Sequence, residues 1–340
     1  MQTMTHRLRT PCLRQPKGFS LIELLVSITI GLVILVAAMS AYLGTASASR
    51  NTEAQARMNE DGQAALNILA QQIRMAGNNP DQPNRIELSR RNPVYGTTTF
   101  APVGPFTTSD FIVRGCDGAF SNITATTAVN IDSLACTAGT STLPDSIAIS
   151  YEADRFNTVA AAGGRPTDCL GFGLNTVTAS LPTVSPTTGI VSTTTVPYWV
   201  ADNRFYIGTS TVITTPSLYC KGNGGSGAPQ PLVENVENMQ FLYGTVSTLI
   251  TATTATVGGY LTADEVVTET SLAALASDAA RWAKVVTVRI CVVIRSENTI
   301  APDAGSARYL DCTGTLVTSP PDLRLRRAYS TTVVLRNRIP

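Results

Sequence analysis

The sequence predicts an α+β fold, in which a long N-terminal helix, membrane-spanning in its first half, packs on an antiparallel β-sheet. Three observations carry that expectation. No proline interrupts the chain between Pro16 and Pro80, although the whole chain has 19. From Pro80 onward, short β-rich runs alternate with Gly-, Pro-, Ser- and Thr-rich connections, without the spacing of βαβ units. Six of the seven cysteines fall in that second part.

Residues 1–18 hold Arg7, Arg9, Arg14 and Lys17, no acid, and both Pro11 and Pro16, so they are expected to be neither helical nor part of the fold. One carboxylate, Glu23, follows, and then Leu24 to Leu43 runs without a formal charge. At about 1.5 Å per residue this run spans about 30 Å, the thickness of a bilayer core. Basic residues precede it, whereas Arg50, Glu53 and Arg57 after it are mixed in sign. That asymmetry places the leader in the cytoplasm and the C-terminus outside.

Beyond the apolar run, Met58, Ala65, Leu66, Leu69 and Ile73 recur at helical spacing, with Gln55, Arg57, Glu60, Asp61, Gln63 and Gln71 on the other faces. A single helix from about Phe19 to Ala76 is the simplest expectation, roughly 85 Å long. Gly77-Asn78-Asn79-Pro80 supplies its C-cap and stop. A secretory signal peptide cut near Ala46-Ser47-Ala48 is the rival, but its apolar region is usually about 7–15 residues and carries no acid ahead of it.

Strands are expected at Phe111-Ile112-Val113, Asp145 to Tyr151, Phe205 to Ile213 and Val236 to Tyr243. The clearest is Val285 to Arg295, where Val286, Val288, Ile290, Val292 and Ile294 share one face. Tyr329 to Arg336 alternates less cleanly. Leu272, Leu275, Ala279 and Trp282 predict a short helix, and Gly173 to Pro197, Lys221 to Pro231 and Thr245 to Gly259 are expected to be surface loops. The expected organisation is a leader at 1–18, a transmembrane assembly helix at 19–43, its amphipathic periplasmic continuation at 44–77, and a disulfide-containing β-rich head at 78–340.

Composition narrows the function. The net charge is +1, and −3 once the four basic leader residues are set aside, so no basic nucleic-acid footprint stands out. The single histidine, His6, lies in the leader. A chain that keeps no histidine lacks the commonest general base and metal ligand, which argues against an enzyme and against a metal or other cofactor. No phosphate-binding loop and no calcium-loop spacing occurs; Asp145, Asp154, Asp264, Asp278 and Asp303 are expected to be solvated loop and cap residues. Apart from Cys12 in the leader, Cys116, Cys136, Cys169, Cys220, Cys291 and Cys312 form no C-x-x-C pair and suit an oxidising compartment. Sequential pairing is the expected choice among the roughly 15 connectivities six cysteines allow.

Glu23 needs a functional account, because an acid at the end of an apolar segment costs up to a few kcal/mol to insert and is rarely kept without a partner. The order Gly18-Phe19-Ser20-Leu21-Ile22-Glu23 before a spanning helix resembles the N-terminus of type IV prepilins. That resemblance implies cleavage after Gly18, methylation of the new N-terminus at Phe19, and pairing of the Phe19 amine with Glu23 of a neighbouring subunit. Arg57-Met58-Asn59-Glu60-Asp61-Gly62, Ile73-Arg74-Met75-Ala76-Gly77, Pro231-Leu232-Val233-Glu234-Asn235-Val236-Glu237-Asn238-Met239-Gln240, Val286-Thr287-Val288-Arg289-Ile290 and the ending Arg326-Arg327-Ala328-Tyr329-Ser330-Thr331-Thr332-Val333-Val334-Leu335-Arg336-Asn337-Arg338 further resemble the PilW family of minor pilins. Ser40 stands where a helix-kinking proline often occurs in major pilins.

The resemblance implies a pilin-like structural protein that primes assembly of or caps a type IV pilus from the inner membrane. Its implied partners are major and other minor pilins, prepilin peptidase and methylase, an inner-membrane assembly platform and a tip adhesin; whether nucleic acid is a partner is left open. Two alternatives stand beside it: a minor pseudopilin of a type II secretion system, and a pilus-tip subunit that binds a ligand for adhesion or DNA. Mass spectrometry of the mature protein is expected to find methylated Phe19 as the first residue. A chain beginning at Ser49 would support the signal-peptide rival.

Overall fold

Leu21–Met75 form one unbroken α-helix, α1, two residues shorter at the start and one at the end than the proline-free interval predicts. The computed structural model describes residues 18–96, 100, 102–103, 108–124, 130–137, 143–225, 228–246, 257–272 and 275–338. The basic leader up to Lys17, with His6 and Cys12, lies outside them. The chain divides into two units, residues 1–53 and 54–340. In the first, every apolar side chain of α1 from Leu21 to Leu43 is exposed. In the second, the helix buries Met58, Gly62, Ala65, Leu66, Leu69, Ala70 and Ile73, which is the periodic face read from the sequence.

The helix stops at Gly77, whose φ of 75° is the left-handed conformation that glycine adopts without a Cβ clash. The Gly77 N–H donates to the Ser150 carbonyl at 2.9 Å, so the helix end is tied to a strand. That strand belongs to a sheet whose path is β1 (Val113–Cys116), β2 (Ser146–Ala153), β4 (Val191–Gly208), β5 (Ser217–Lys221) and β6 (Gln230–Glu234), with β3 (Val177–Val184) added on the N-terminal half of β4. A second sheet has the order β12 (Arg324–Val334), β9 (Val285–Thr299), β7 (Val236–Val246) and β8 (Val257–Leu261). All pairs are antiparallel. A small hairpin, β10 (Tyr309–Leu310) and β11 (Leu316–Val317), lies between β9 and β12 in the chain.

The chain passes from one sheet to the other at Asn235, between β6 and β7. Its φ is 62°, a left-handed position that asparagine tolerates better than most residues. Asp145, at the start of β2, ties the sheets together a second time. Its N–H donates to the Met239 carbonyl at 2.7 Å, and its carboxylate accepts from the Phe241 N–H at 2.8 Å and the Gly118 N–H at 3.2 Å.

Several sequence expectations change. The interval 173–197 is not a loop: it contains β3 and the start of β4, which form a hairpin over a small core of Val94, Val177, Ala179, Leu181, Tyr198 and Val200. Thr193, Thr194 and Thr195 are consecutive and exposed, and Thr178 and Thr183 are half-buried, which is why composition alone resembles a loop. The strand expected at Phe205 to Ile213 ends at Gly208 and starts earlier, at Val191. Phe111 and Ile112 are buried but precede β1 rather than lie in it. A short helix not expected from the sequence, α2 (Ala263–Thr268), comes first. Of the helix expected through Leu272 to Trp282, only the end is α-helical, α3 (Asp278–Trp282), started by the Ser277 hydroxyl accepting from the Ala280 N–H at 3.2 Å; Leu272 ends a single 3-10 turn, and residues 273–274 lie outside the described residues. Asp145 is buried, not solvated. Of the expected loop at 245–259, residues 247–256 lie outside the described residues, and its ends belong to β7 and β8.

The helix and the second sheet meet at Gly62. A Cβ there would stand 2.7 Å from Tyr329 Cδ2, and the ring is held by its hydroxyl donating to Asn59 Oδ1 at 2.6 Å. Gly62→Ala gains about 1 kcal/mol of helix propensity and loses about 1–3 kcal/mol to overpacking. Thermal unfolding is therefore expected to show Gly62→Ala as destabilising in the wild-type background and stabilising in a Tyr329→Ala background. The same sign in both would rule out this contact as the reason for the glycine.

Candidate functional site

The segment that the sequence marks for processing begins at Gly18. Gly18 and Phe19 are exposed, Phe19 by 86%, and nothing lies within 4 Å of the position a Gly18 Cβ would take. A peptide bond with a bare backbone on its N-terminal side gives an enzyme close access.

Ser20 and Glu23 then close a capping box at the start of α1. The Ser20 N–H donates to Glu23 Oε2 at 3.0 Å, and the Glu23 N–H donates to Ser20 Oγ at 3.2 Å. Two N–H groups that the helix cannot satisfy are thereby paired, with the carboxylate at the positive end of the helix dipole. Ser20 is a residue that attention to Glu23 alone passes over, although the Ser-x-x-Glu spacing signals it.

From Leu24 to Ser49 the helix carries no charged side chain. Its hydroxyls turn back on the backbone: Ser27 donates to the Leu24 carbonyl at 2.9 Å, Thr29 to Val26 at 2.9 Å, Ser40 to Ala37 at 2.9 Å and Thr45 to Ala41 at 2.8 Å. A hydroxyl that finds its acceptor three or four residues back can enter a medium without water at little cost. The helix is long and apolar enough to cross a membrane. Ala46, Ser47 and Ala48 of the signal-peptide rival lie inside it.

The six cysteines lie in the second unit and pair sequentially. Cys116, the last residue of β1, bonds Cys136; Cys169 bonds Cys220 of β5; Cys291 of β9 bonds Cys312, between β10 and β11. Each bond ties a strand to an irregular segment, where loop closure gives a crosslink most of its effect. The site residues therefore form no single constellation: Gly18, Phe19 and Glu23 belong to the first unit and the cysteines to the second.

The second unit also holds charges that the sequence does not flag. Arg326 of β12 meets Glu237 of β7 through two bonds, Nε to Oε2 at 2.5 Å and Nη2 to Oε1 at 3.1 Å, and donates from Nη1 to Asp322 at 2.8 Å. In β4, Asp202 and Arg204 form a buried pair, 3.1 Å from Nε to Oδ1. Burial pushes the Asp145 carboxyl up to about 7 against the bonds from Phe241 and Gly118. Burial likewise pushes Glu152 of β2 up to about 7, although Asn92 Nδ2 donates to its Oε1 at 2.5 Å. Its other oxygen, Oε2, is buried without a partner.

An exposed glycine–phenylalanine junction and a capped apolar helix thus precede a disulfide-bonded β-rich unit, the arrangement of a type IV pilin-like chain. Two family models agree: residues 13–39 match the prokaryotic N-terminal methylation motif, and residues 204–337 match the type IV pilus-assembly protein W family, PilW. Together they support a type IV pilus-related pilin that prepilin peptidase processes. No curated protein and no solved structure matches the chain.

Because Glu152 keeps its proton in the folded state to about pH 7 and loses it near 4.5 when unfolded, the unfolded chain is the first to release it as pH rises. Stability is expected to fall between those values and to level off above them, with Asp145 acting in the same direction. Glu152→Gln is neutral throughout. Its melting temperature is expected to decline less than that of the wild type between pH 5 and pH 8; an equal decline would remove Glu152 from this account.

Proposed function

We propose that the chain is a minor pilin that primes assembly of or caps a type IV pilus, as a structural and interaction subunit with no catalysis of its own. The observation that carries the proposal is the exposed Gly18–Phe19 junction directly before a capped helix that stays uncharged to Ser49. Prepilin peptidase cuts after Gly18, and the new amine at Phe19 is methylated. Residues 1–18 are then the cytoplasmic leader, 19–43 the inner-membrane and assembly helix, 44–77 its periplasmic continuation, and 78–340 the periplasmic head. The match of residues 204–337 to PilW favours the pilus over the secretion machine.

In this reading Glu23 has two successive partners. Before processing it is held by the Ser20 N–H, and after processing the Phe19 amine of a neighbouring subunit competes for the same carboxylate. In a low-dielectric bundle such a pair discriminates between axial registers, since an unpaired charge is costly there. Assembly then brings the subunit together with major and other minor pilins, the assembly platform and a tip adhesin.

Glu23→Gln separates the two roles. Glutamine at this position still closes a capping box but carries no charge. Glu23→Gln and Glu23→Ala strains are both expected to accumulate processed protein and to lose piliation, scored by electron microscopy. Normal piliation in both would refute the pairing role.

A further inference from the structure

A cleft of about 780 Å³ opens in the second unit beside Gly77 and Asn79, where the chain leaves α1. Its other walls are the single-turn helix at Glu87–Arg90, the segment around Tyr95 and Asp110, α3, and the last turn at Asn337 and Arg338. Two of the three non-glycine residues with positive φ among the described residues, Asn84 (φ 58°) and Glu87 (φ 48°), fall in one of these walls or just before it. Strained backbone held by surrounding structure concentrates where ligands are gripped.

Arg338 is the unusual residue of this cleft. Its Nη1 donates to the Ala283 carbonyl at 3.3 Å, and its Nε is buried without a partner. Among the described residues no carboxylate forms an ion pair with it, and burial, beside the Tyr95 hydroxyl, holds the guanidinium below the ordinary arginine range. The other two arginines of the cleft are already engaged, Arg91 with Asp81 at 2.8 Å and Arg90 with the same carboxylate at 3.7 Å. Asn79, on the facing segment, donates from Nδ2 to the Asn92 carbonyl at 3.1 Å but has a buried Oδ1 with no donor.

Arg338 is half-buried, and a partly desolvated cation without an ion-pair partner favours an anion that enters the cleft. Arg90, Arg91 and Arg338 are balanced by Asp81, Glu87 and Asp110 around the same cleft, so a polyanion such as nucleic acid would meet as many repulsive as attractive charges. The complementary molecule is small, carries one carboxylate, and brings O–H or N–H donors for the acidic rim. We infer that this cleft binds a small hydroxylated or amino-bearing carboxylate, of the acidic-sugar or amino-acid type, with Arg338 holding the carboxylate.

The test is calorimetric titration of the full-length protein in detergent with glucuronate, glycylglycine and glucose. At least one of the two carboxylates is expected to bind and glucose is not; which carboxylate binds identifies the source. A charge-assisted bond to arginine makes the expected loss in Arg338→Gln about tenfold or more. Arg338→Lys, which keeps the charge, is expected to bind more tightly than the glutamine variant. Because Arg338 has no ion-pair partner among the described residues, Arg338→Gln is also expected to melt no lower than the wild type. Binding of neither carboxylate, equal binding by wild type and Arg338→Gln, or glucose binding as well as glucuronate overturns the inference.

Discussion

Among the described residues nothing covers the apolar side chains between Leu21 and Leu43, and moving each large one out of water is worth about 1.5–3 kcal/mol. That imbalance sets the surroundings the rest of the chain must suit. It explains why the hydroxyls of residues 27–45 are bonded inward and why no charge appears between Glu23 and Arg50. It also explains the capping box, because N–H groups left open at a helix start are hardest to satisfy where water is thin. A membrane anchor is the environment in which all three features lower the free energy together.

The head solves a different problem, which is how to hold two antiparallel sheets and a helix end without one dominant interface. Its joints are few and specific. Asn235 turns the chain from one sheet into the other, Asp145 bonds across from β2 to β7, and Arg326 locks β12 to Glu237 of β7. Three segments that resemble PilW separately thus share one physical role: residues 231–240 make the turn and supply Glu237, the ending supplies Arg326, and Gly62 of the helix admits the ring of Tyr329.

The helix and the later strands were legible because each has a single clear period. Proline-free spacing of Met58, Ala65, Leu69 and Ile73 matches one buried face, and the alternation of Val286 to Ile294 matches β9. The hairpin of β3 and β4 was hidden because Val177, Ala179 and Leu181 are diluted by threonine and serine, whose polarity resembles that of a loop. Asp145 misled for a related reason: its partners are backbone N–H groups more than twenty residues away, which no local spacing reveals. In the candidate site, Gly18, Phe19 and Glu23 could be read from order alone, whereas the place of Arg338, bonded to a carbonyl and to no acid among the described residues, depends on which acids tertiary contact leaves out of reach.

The three disulfides have a mechanical consequence. They close intervals of 20, 51 and 21 residues, and none of these intervals overlaps another. A molecule pulled from its two ends could unravel its sheets yet still withhold about 90 residues from the load, roughly 300 Å of contour at full extension. Tension would extend the chain between the three sealed loops but not the loops themselves, which would be ready to refold when the pull relaxed.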